Sequence, residues 1–393
     1  MKALVTNLTE DGGLIAARSL AEGGFEVIGA DMRRVPAGMR SRYVRAYHYV
    51  GEPGDPDVES ALLRLVETHR PDVFLPIGTR GVVTASRHRD ALSSITAINV
   101  VDADAFMAAF DKAACAAECR ALGIPCPPIY TLEEALAALG DGARKRVLVV
   151  KPRWDVGAAI GVRYVGDRVA LQAAVEACRR DFGDSVIQEF VPGAADAMRT
   201  VIVLFTGDSR LAAAFTTEKV RHWPQTGGPT AASRSTADRD LVEVVLPFFE
   251  KWKWRGAAEV ELKLDARDGR YKVIEINPRF PGYLRFAWQC GLDLPMLAAR
   301  IALGDDRATA DGLPRYRVGA TYVAPTLFWR TVREDVRTHS LMPAIRRASR
   351  DLSGSAPVVV GMLADPLPLL ARVFRPARPR QADIAALRGL QRG

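Results

Sequence analysis

Cysteine is scarce in this chain, with only five among its 393 residues. Five is an odd number, and the positions show no close pairing pattern, so a disulfide framework is not expected. Cys115 and Cys119 are spaced as on one helical turn, but neither a second pair nor a nearby histidine would complete a metal site around them. We therefore expect free thiols in a reducing, cytoplasmic compartment.

Long apolar runs are also lacking, and no segment is long enough to cross a bilayer as a helix. The first residues, Met1–Thr6, lack the pattern of a signal peptide. Hydrophobic residues make up 48% of the chain and charged residues 25%, the proportions of a soluble globular protein. A chain of 393 residues is too long for one ordinary core, so two or three domains are expected.

Acidic residues are few at the C-terminal end. From Arg330 onward the sequence has twelve arginines, no lysine and five acidic residues, a net charge of +7 out of +8 for the whole chain. Such a tail can bind nucleic acid or an acidic membrane surface. Because it contains no recognisable nucleic-acid motif, we expect no nucleic-acid partner. A solvated helical face or a subunit contact, compatible with a homodimer, is the preferred interpretation.

Strands and helices alternate over the first hundred residues. The strands are predicted at 2–6, 25–30 and 72–77, and the helices at 14–20 and 58–68. This alternation predicts a parallel sheet with both faces covered. The loop after the first strand contains Gly12 and Gly13 but lacks the G-x-G-x-x-G arrangement, so NAD binding is not inferred.

Further along the chain the pattern is mixed. It predicts helices at 106–122, 132–139 and 168–180, and strands at 146–151 and 185–190. Beyond about residue 305, helices alternate with proline-rich turns.

Two glutamates are predicted to face each other across a hairpin. Both arms alternate polar and apolar residues, and Arg267–Gly269 between them fits a three-residue loop with glycine in the left-handed position. That loop places Glu261 directly opposite Glu275, with Asn277 on the same face. Like charges directly opposite destabilise a sheet, so a cation is expected between them. Two carboxylates and an amide oxygen suit Mg²⁺; the plainer interpretation is a hairpin whose charges face water.

The second arm ends in Glu275-Ile-Asn-Pro-Arg279, which closely resembles the metal-binding end of the ATP-grasp superfamily. In that family a hairpin glutamate and a Glu-x-Asn pair hold magnesium on ATP. The resemblance implies that Glu261, Glu275 and Asn277 bind Mg²⁺, with Mn²⁺ as an alternative. Arg279 resembles the arginine that contacts the transferred phosphate and the acyl phosphate.

Other family motifs occur in the expected order. Lys112 resembles the first lysine that reaches an ATP phosphate. Lys151 ends a strand and shares a face with apolar residues, an unusual burial for lysine without an anionic partner. The loop that follows resembles the phosphate-covering loop of the lid, although Ala158 and Ala159 stand where glycines are common.

The remaining candidates also follow from the resemblance. The segment that would surround adenine, with Glu189 as the acid that contacts the nucleotide, consists of Gln188, Glu189, Phe190 and Val191. Asp196 is expected at the ribose or in positioning the loop, and Lys219 at a phosphate. Arg221 is assigned to the substrate, because a guanidinium suits bidentate carboxylate recognition.

The resemblance implies an α/β protein built of three parts. A Rossmann-like domain at 1–105 precedes a two-lobed α+β ATP-grasp domain at 106–304, with a lid at about 116–187 and a body at about 188–304. A basic, α-rich C-terminal extension follows at 305–393.

The implied activity is that of a carboxylate–amine ligase of the carbamoyl-phosphate-synthase-like branch. ATP would activate a carboxylate as an acyl phosphate, and an amine would displace phosphate and leave an amide and ADP. The substrates would be small molecules, with an amino acid or small carboxylic acid as the base expectation.

Three alternatives remain open. A carboxylase or kinase-like member would use the acyl phosphate differently, although no biotin-carrier segment is evident. A non-catalytic ATP-binding regulator or scaffold would not need Glu261, Glu275, Asn277 and Arg279 together. If binding through the basic tail were the main function, the chain would be a membrane or nucleic-acid adaptor. Its binding would then weaken steeply with added salt.

Overall fold

The computed structural model describes residues 1–34, 37–52, 55–139, 146–154, 159–193, 195–223, 228–305 and 312–352, together with Asp365 and Leu367. The part of the predicted phosphate loop that contains Ala158, and about half of the basic extension, lie outside the described residues. The described residues form three sheets with their covering helices.

The N-terminal sheet is parallel throughout, in the order β3-β2-β1-β4. Its elements are β1 (Lys2–Thr6), α1 (Asp11–Glu22), β2 (Glu26–Asp31), β3 (Ala46–Tyr49), α2 (Val58–His69), β4 (Val73–Leu75), α3 (Thr79–Arg87) and α4 (Arg89–Ser93). Along β1, Ala3 and Val5 pack with α1, whereas Leu4 packs with α2 on the other face. Helices thus cover both faces, as the alternating pattern predicts.

A helix predicted at 106–122 is two helices in the structure, α5 (Ala103–Phe110) and α6 (Lys112–Ala121). The break lies at Asp111, whose backbone is extended and whose carboxylate accepts hydrogen bonds from the N–H groups of Ala113 and Ala114. An aspartate just before a helix accepts hydrogen bonds from N–H groups of the first turn, which have no partner within that helix. In one continuous helix the preceding turn would supply the acceptors. The new helix start places Lys112 at its first position.

The second sheet is antiparallel, in the order β5-β8-β6-β7. Its elements are β5 (Ile129–Tyr130), α7 (Leu132–Ala138), β6 (Leu148–Pro152), β7 (Arg163–Val165), α8 (Arg168–Phe182) and β8 (Ser185–Glu189). Leu148 and Val150 pack in a small core with Leu171 of α8. Because strand residues alternate, Val149 and Lys151 point to the other side, into a cavity.

The third sheet is the largest, antiparallel in the order β13-β12-β9-β10-β11-β14. Its elements are β9 (Met198–Phe205), β10 (Leu211–His222), β11 (Thr230–Thr236), α9 (Arg239–Lys251), β12 (Gly256–Asp265), β13 (Arg270–Asn277), α10 (Arg285–Gln289), α11 (Leu294–Ala302) and β14 (Thr321–Val323). One face packs on α9 around the fully buried Phe248, Phe249 and Trp254.

Residues after 305 continue this sheet. β14 pairs with β11, and two further helices follow, α12 (Pro325–His339) and α13 (Leu341–Leu352). Part of the predicted extension therefore completes the body. Two short 3₁₀ helices lie at Ala37–Arg40 and Ala195–Ala197. In the part of the chain that the structure describes, no helix combines the length and apolarity needed to span a membrane.

Candidate functional site

All three sheets contribute to one cavity of about 1030 Å³. The second sheet supplies Lys151 and Gln188, and the third supplies Glu261 and Glu275. Asn7 and Gly78 lie at the carboxyl ends of β1 and β4 and close the cavity on the N-terminal side. This is the crevice where open α/β sheets usually bind ligands, beside the strand at which the order reverses.

The register of the β12–β13 hairpin agrees with the prediction, by a different route. Glu261 lies opposite Glu275. The loop, however, has four residues rather than three, because Asp265 pairs with Arg270. A bulge on β13 at Ile274 adds one residue, and from Glu275 to Asn277 the pairing with β12 is the predicted one. Gly269 has the predicted left-handed φ of 67°.

The bulge also creates an acceptor. Ile274 has no partner in the ladder, and its carbonyl oxygen accepts a hydrogen bond from Lys151 Nζ at 3.3 Å. Lys151 is almost fully buried, and burial lowers its pKa to about 8, with attraction by Glu275 opposing that shift and repulsion by Lys112 adding to it. A buried ammonium with a neutral carbonyl acceptor suits an anionic ligand such as a phosphate.

Each of the two opposed glutamates is matched by a lysine. Lys219 Nζ donates to Glu261 Oε1 at 2.9 Å, and Lys112 Nζ lies 3.7 Å from Glu275 Oε2. Burial acts to lower the pKa of Lys219, but the attraction and hydrogen bond of Glu261 more than offset it, so that pKa is raised. The lysines therefore supply positive charge beside carboxylates that would otherwise repel each other.

Asn277 is oriented by its neighbours. It is buried, and its Nδ2 donates to Glu259 Oε2 at 3.3 Å and to Glu275 Oε1 at 3.4 Å. These bonds assign the amide nitrogen to the carboxylates and leave Oδ1 as an acceptor. Two carboxylates and one amide oxygen are hard ligands that fit Mg²⁺ shared with phosphate and water.

Within the described residues, no group of three or more His, Cys, Asp or Glu side chains is arranged to hold a metal by itself. At nucleotide sites Mg²⁺ is typically bound through one or two carboxylates plus substrate phosphates.

The four residues predicted around adenine lie together at the end of β8 and line the cavity. Gln188 and Val191 are buried, and the Phe190 ring packs edge-on against Tyr164 with centroids 5.6 Å apart. Glu189 accepts a hydrogen bond from Tyr130 Oη at 3.2 Å and pairs with Arg267. The Glu189 carboxylate therefore has two side-chain partners, Tyr130 and Arg267.

Asp196 is not brought to the cavity. It is exposed in the second 3₁₀ helix and is absent from the described lining residues. Its backbone carbonyl accepts a hydrogen bond from Arg199 at 2.6 Å.

Arg221 also lies outside the lining, against the prediction that it binds substrate. It is buried, and its guanidinium donates to Asp335 of α12 at 2.5 Å and to Asp351 of α13. Two carboxylates from the C-terminal helices thus bind the guanidinium nitrogens that the prediction assigned to a substrate carboxylate. Neighbouring Lys219 and His222 do line the cavity, since alternate strand residues face opposite sides.

Arg279 joins the third sheet to the N-terminal one. Its Nε donates to Thr79 Oγ1, at the start of α3, at 3.2 Å, and its Nη1 donates to the Phe280 carbonyl at 3.1 Å. Nη1 also lies 3.8 Å from Glu259 Oε2. The guanidinium therefore lies between the carboxylate cluster and the crevice of the parallel sheet.

Sequence reasoning missed Glu259 as a site residue. It lies opposite Asn277, shares a face with Glu261 and lines the cavity at 4% exposure. Tyr283 Oη donates to it at 3.0 Å. Burial and the nearby Glu261 raise its pKa to about 7. The same alternation that selected Glu261 could have found it.

The described end of the phosphate loop carries backbone strain. Ala159 lines the cavity and has a φ of 56°, in the left-handed region that favours glycine. Glycine would adopt this backbone conformation with less strain than alanine does.

Three kinds of comparison find proteins similar to this chain. A family model described as ATP-grasp domain matches residues 109–283. The D-aspartate ligase of Enterococcus faecium (strain Aus0004) is 22% identical over 271 residues, which are 61% of this chain and 62% of the ligase. The match thus spans less than two thirds of that relative's length.

Two solved structures share the fold. A biotin carboxylase–ATP complex from Campylobacter jejuni has a TM-score of 0.63 and 16% identity, covering 77% of this chain and 71% of that one. An L-amino acid ligase from Bacillus licheniformis has a TM-score of 0.61 and 15% identity, covering 81% and 78%. The α/β fold predicted from the sequence is confirmed.

Proposed function

Residues 109–283 are an ATP-grasp domain, and from this premise we propose that the protein is an ADP-forming ligase that joins a carboxylate to an amine. The observation that carries the proposal is the pairing of Glu261 with Glu275 beside Asn277, inside a cavity that also holds Lys112, Lys151 and Arg279. Binding of a nucleotide alone would not require this concentration of opposite charges.

Glu261, Glu275 and Asn277 line the cavity and would hold Mg²⁺ through their side-chain oxygen atoms. When bound, the ion would offset the charge of ATP phosphates. Lys112 and Lys219, which now contact the two carboxylates, would then be available to phosphate oxygens. Gln188, Phe190 and Val191 would surround the adenine ring.

In the first step the γ-phosphoryl group of ATP would move to a carboxylate oxygen of the substrate. The bond from phosphorus to the β–γ bridging oxygen breaks, the bond to the carboxylate oxygen forms, and ADP leaves. Lys151 and Arg279 would stabilise the charge on the transferring group, and such reactions depend mainly on positioning and electrostatics.

In the second step the amine nitrogen would attack the carbonyl carbon of the acyl phosphate. Inorganic phosphate leaves, one proton is lost from nitrogen, and an amide remains. Arg279 would contact the acyl phosphate, a role that is supported by its position between Glu259 and Thr79.

The substrates are proposed to be small molecules that carry carboxylate and amine groups. The related D-aspartate ligase and L-amino acid ligase are named for amino acids, and the cavity offers cationic and anionic groups together, including Arg80, Arg279 and Glu259. D-Aspartate and the common L-amino acids are therefore the first compounds to test.

The test is ADP release by the purified protein with Mg²⁺ and ATP, against pooled amino acids and small carboxylates. We expect stimulated ADP formation, and a product mass equal to acid plus amine minus water. Glu275→Gln should abolish turnover while the circular dichroism spectrum is unchanged. Glu176→Gln, at an exposed site on α8, is the matched control and should keep full activity. Full activity in a correctly folded Glu275→Gln variant would contradict the metal assignment.

A further inference from the structure

The two C-terminal helices present their large apolar side chains outward. Ala344 of α13 is buried, whereas Leu341, Met342 and Ile345 of the same helix are 57%, 60% and 48% exposed. Trp329 of the adjacent α12 is 70% exposed. Surface helices of soluble proteins normally turn such residues toward the core. Four large apolar residues are thus exposed on two helices that pack together, and exposed apolar surface of this kind usually marks an interaction site.

The same surface is strongly basic. Arg333 and Arg337 of α12 and Arg346 of α13 are exposed. Of the three acidic residues on these helices, Asp335 and Asp351 face inward and pair with the buried Arg221, and only Glu334 is partly exposed. The interior ion pairs therefore leave the outer surface of both helices with an excess of positive charge.

We propose that this surface, the α12–α13 face, docks on an anionic lipid bilayer. We define the face by Trp329, Arg333, Leu341, Met342, Ile345 and Arg346. Apolar side chains flanked by arginines are the composition of helices that lie in a membrane interface. Tryptophan favours the headgroup level, and each arginine near an anionic surface adds attraction.

Charge complementarity distinguishes this partner from the others. In a two-fold dimer through this face, the same basic patch would meet itself, and the face as defined has no acidic residue to neutralise its arginines. Residues 353–393 of the chain contain apolar stretches, but they carry six arginines against two aspartates and would not neutralise the face. A nucleic acid would satisfy the arginines but would leave Leu341, Met342 and Ile345 in water.

Helix α12 also connects this face to the cavity. Leu327 and Arg330 line the cavity, and the Arg330 guanidinium lies 4.7 Å from the centre of the Trp223 ring. Trp329, next in sequence to Arg330, points outward at 70% exposure. A protein docked through this face would therefore hold one wall of its cavity close to the bilayer. The docking proposal does not depend on the proposed ligase activity.

The experiment is sedimentation of the full-length protein with vesicles. One set contains phosphatidylcholine with about two fifths phosphatidylglycerol, and the other contains phosphatidylcholine alone. We expect binding to the anionic vesicles that weakens with added salt. Leu341→Gln/Met342→Gln/Ile345→Gln should reduce the partition coefficient at least about tenfold. Arg333→Gln/Arg346→Gln should reduce it by about fivefold per arginine, since each contributes on the order of 1 kcal/mol.

Two control variants lie on α8, away from this surface. Val169→Ser removes a side chain that is 77% exposed, and Arg179→Gln removes an exposed arginine. Both should bind vesicles like the wild type, and circular dichroism should show that every variant keeps its helices.

Three outcomes would overturn the proposal. Failure of the full-length protein to sediment with anionic vesicles would mean that something else, such as residues 353–393, covers the face. A dimer that the apolar triple variant dissociates would identify a second copy as the occupant. Vesicle binding that all face variants retain would place the membrane contact elsewhere.

Discussion

Lys151 and Ile274 are joined by a hydrogen bond that exists because β13 bulges at Ile274. The bulge frees a carbonyl from the strand ladder and turns it into an acceptor for a buried ammonium. It also restores the register that places Glu275 opposite Glu261. One extra residue in β13 thus positions both the proposed metal ligands and the lysine proposed to bind phosphate.

Lys151→Met should separate stability from function at this position. Burying an ammonium costs free energy, so a side chain of similar length without charge should leave the melting temperature unchanged or raised. We expect turnover to fall by about 100-fold or more, because charge stabilisation of the phosphoryl group is lost.

Thermal unfolding with and without Mg²⁺ and ATP measures both effects. The stabilisation by nucleotide should shrink in Lys151→Met and persist in Lys253→Met, which changes an exposed lysine. Wild-type turnover and nucleotide response in Lys151→Met would show that this lysine has no role at phosphate.

Glu259 should give the metal-free protein a pH-dependent loss of stability. Its folded pKa of about 7 is raised above the usual glutamate value, so the folded state binds a proton that the unfolded state has released. The contribution of Glu259 to the free energy of unfolding should therefore fall between about pH 4.5 and pH 7, by roughly 1.4 kcal/mol per pH unit where the two states differ by a full proton.

Urea unfolding of the wild type and Glu259→Gln across this range tests the prediction. The free energy of unfolding of Glu259→Gln should rise relative to that of the wild type as the pH rises. The difference should level off above about pH 7. A difference that stays constant from pH 4.5 to pH 8 would mean that Glu259 does not titrate in this window.

Arg221→Met should destabilise the C-terminal helices rather than the active site directly. It leaves Asp335 and Asp351 buried without their shared guanidinium, a change that typically costs about 3–5 kcal/mol. Adding Asp335→Asn and Asp351→Asn to the same protein should recover much of that loss. Urea unfolding of the single and triple variants measures it, and a loss below about 1 kcal/mol in the single variant would contradict the ion-pair account.

Asp111→Ala should weaken the start of α6, because Asp111 accepts hydrogen bonds from Ala113 and pairs with Arg153 at 2.6 Å. We expect a cost of about 1–2 kcal/mol from the lost cap. Nucleotide affinity should also fall, since Lys112 is the first residue of that helix. Asp57→Ala is the matched control, because Asp57 precedes α2 without making a side-chain cap. Equal stability losses in the two variants would remove the assigned role of Asp111.

The parallel sheet and the opposed glutamates could be predicted because their signals are local. Residue alternation fixes which side chains share a face, and that rule gave the face of Glu261, Glu275 and Asn277. The predicted loop was one residue too short, and the bulge at Ile274 offset that error in the register. Neither the loop length nor the bulge has a sequence signal stronger than the alternation of residues.

The contacts of Arg221 could not be predicted, for a different reason. Its partners, Asp335 and Asp351, lie more than a hundred residues away in sequence, and only the packing of α12 and α13 brings them to β10. The helix break at Asp111 could have been predicted more readily, because an aspartate before a run of good helix formers is a typical helix start.

Oxygen-18 transfer tests the central claim most directly. A carboxylate that stimulates ADP release is labelled with oxygen-18 in its carboxyl group and incubated with the protein, Mg²⁺, ATP and the amine. The account predicts one labelled oxygen in the released phosphate, because the phosphoryl group is transferred to a carboxylate oxygen and leaves with it. Unlabelled phosphate accompanying amide formation, or no carboxylate in the panel that stimulates ADP release, would contradict it.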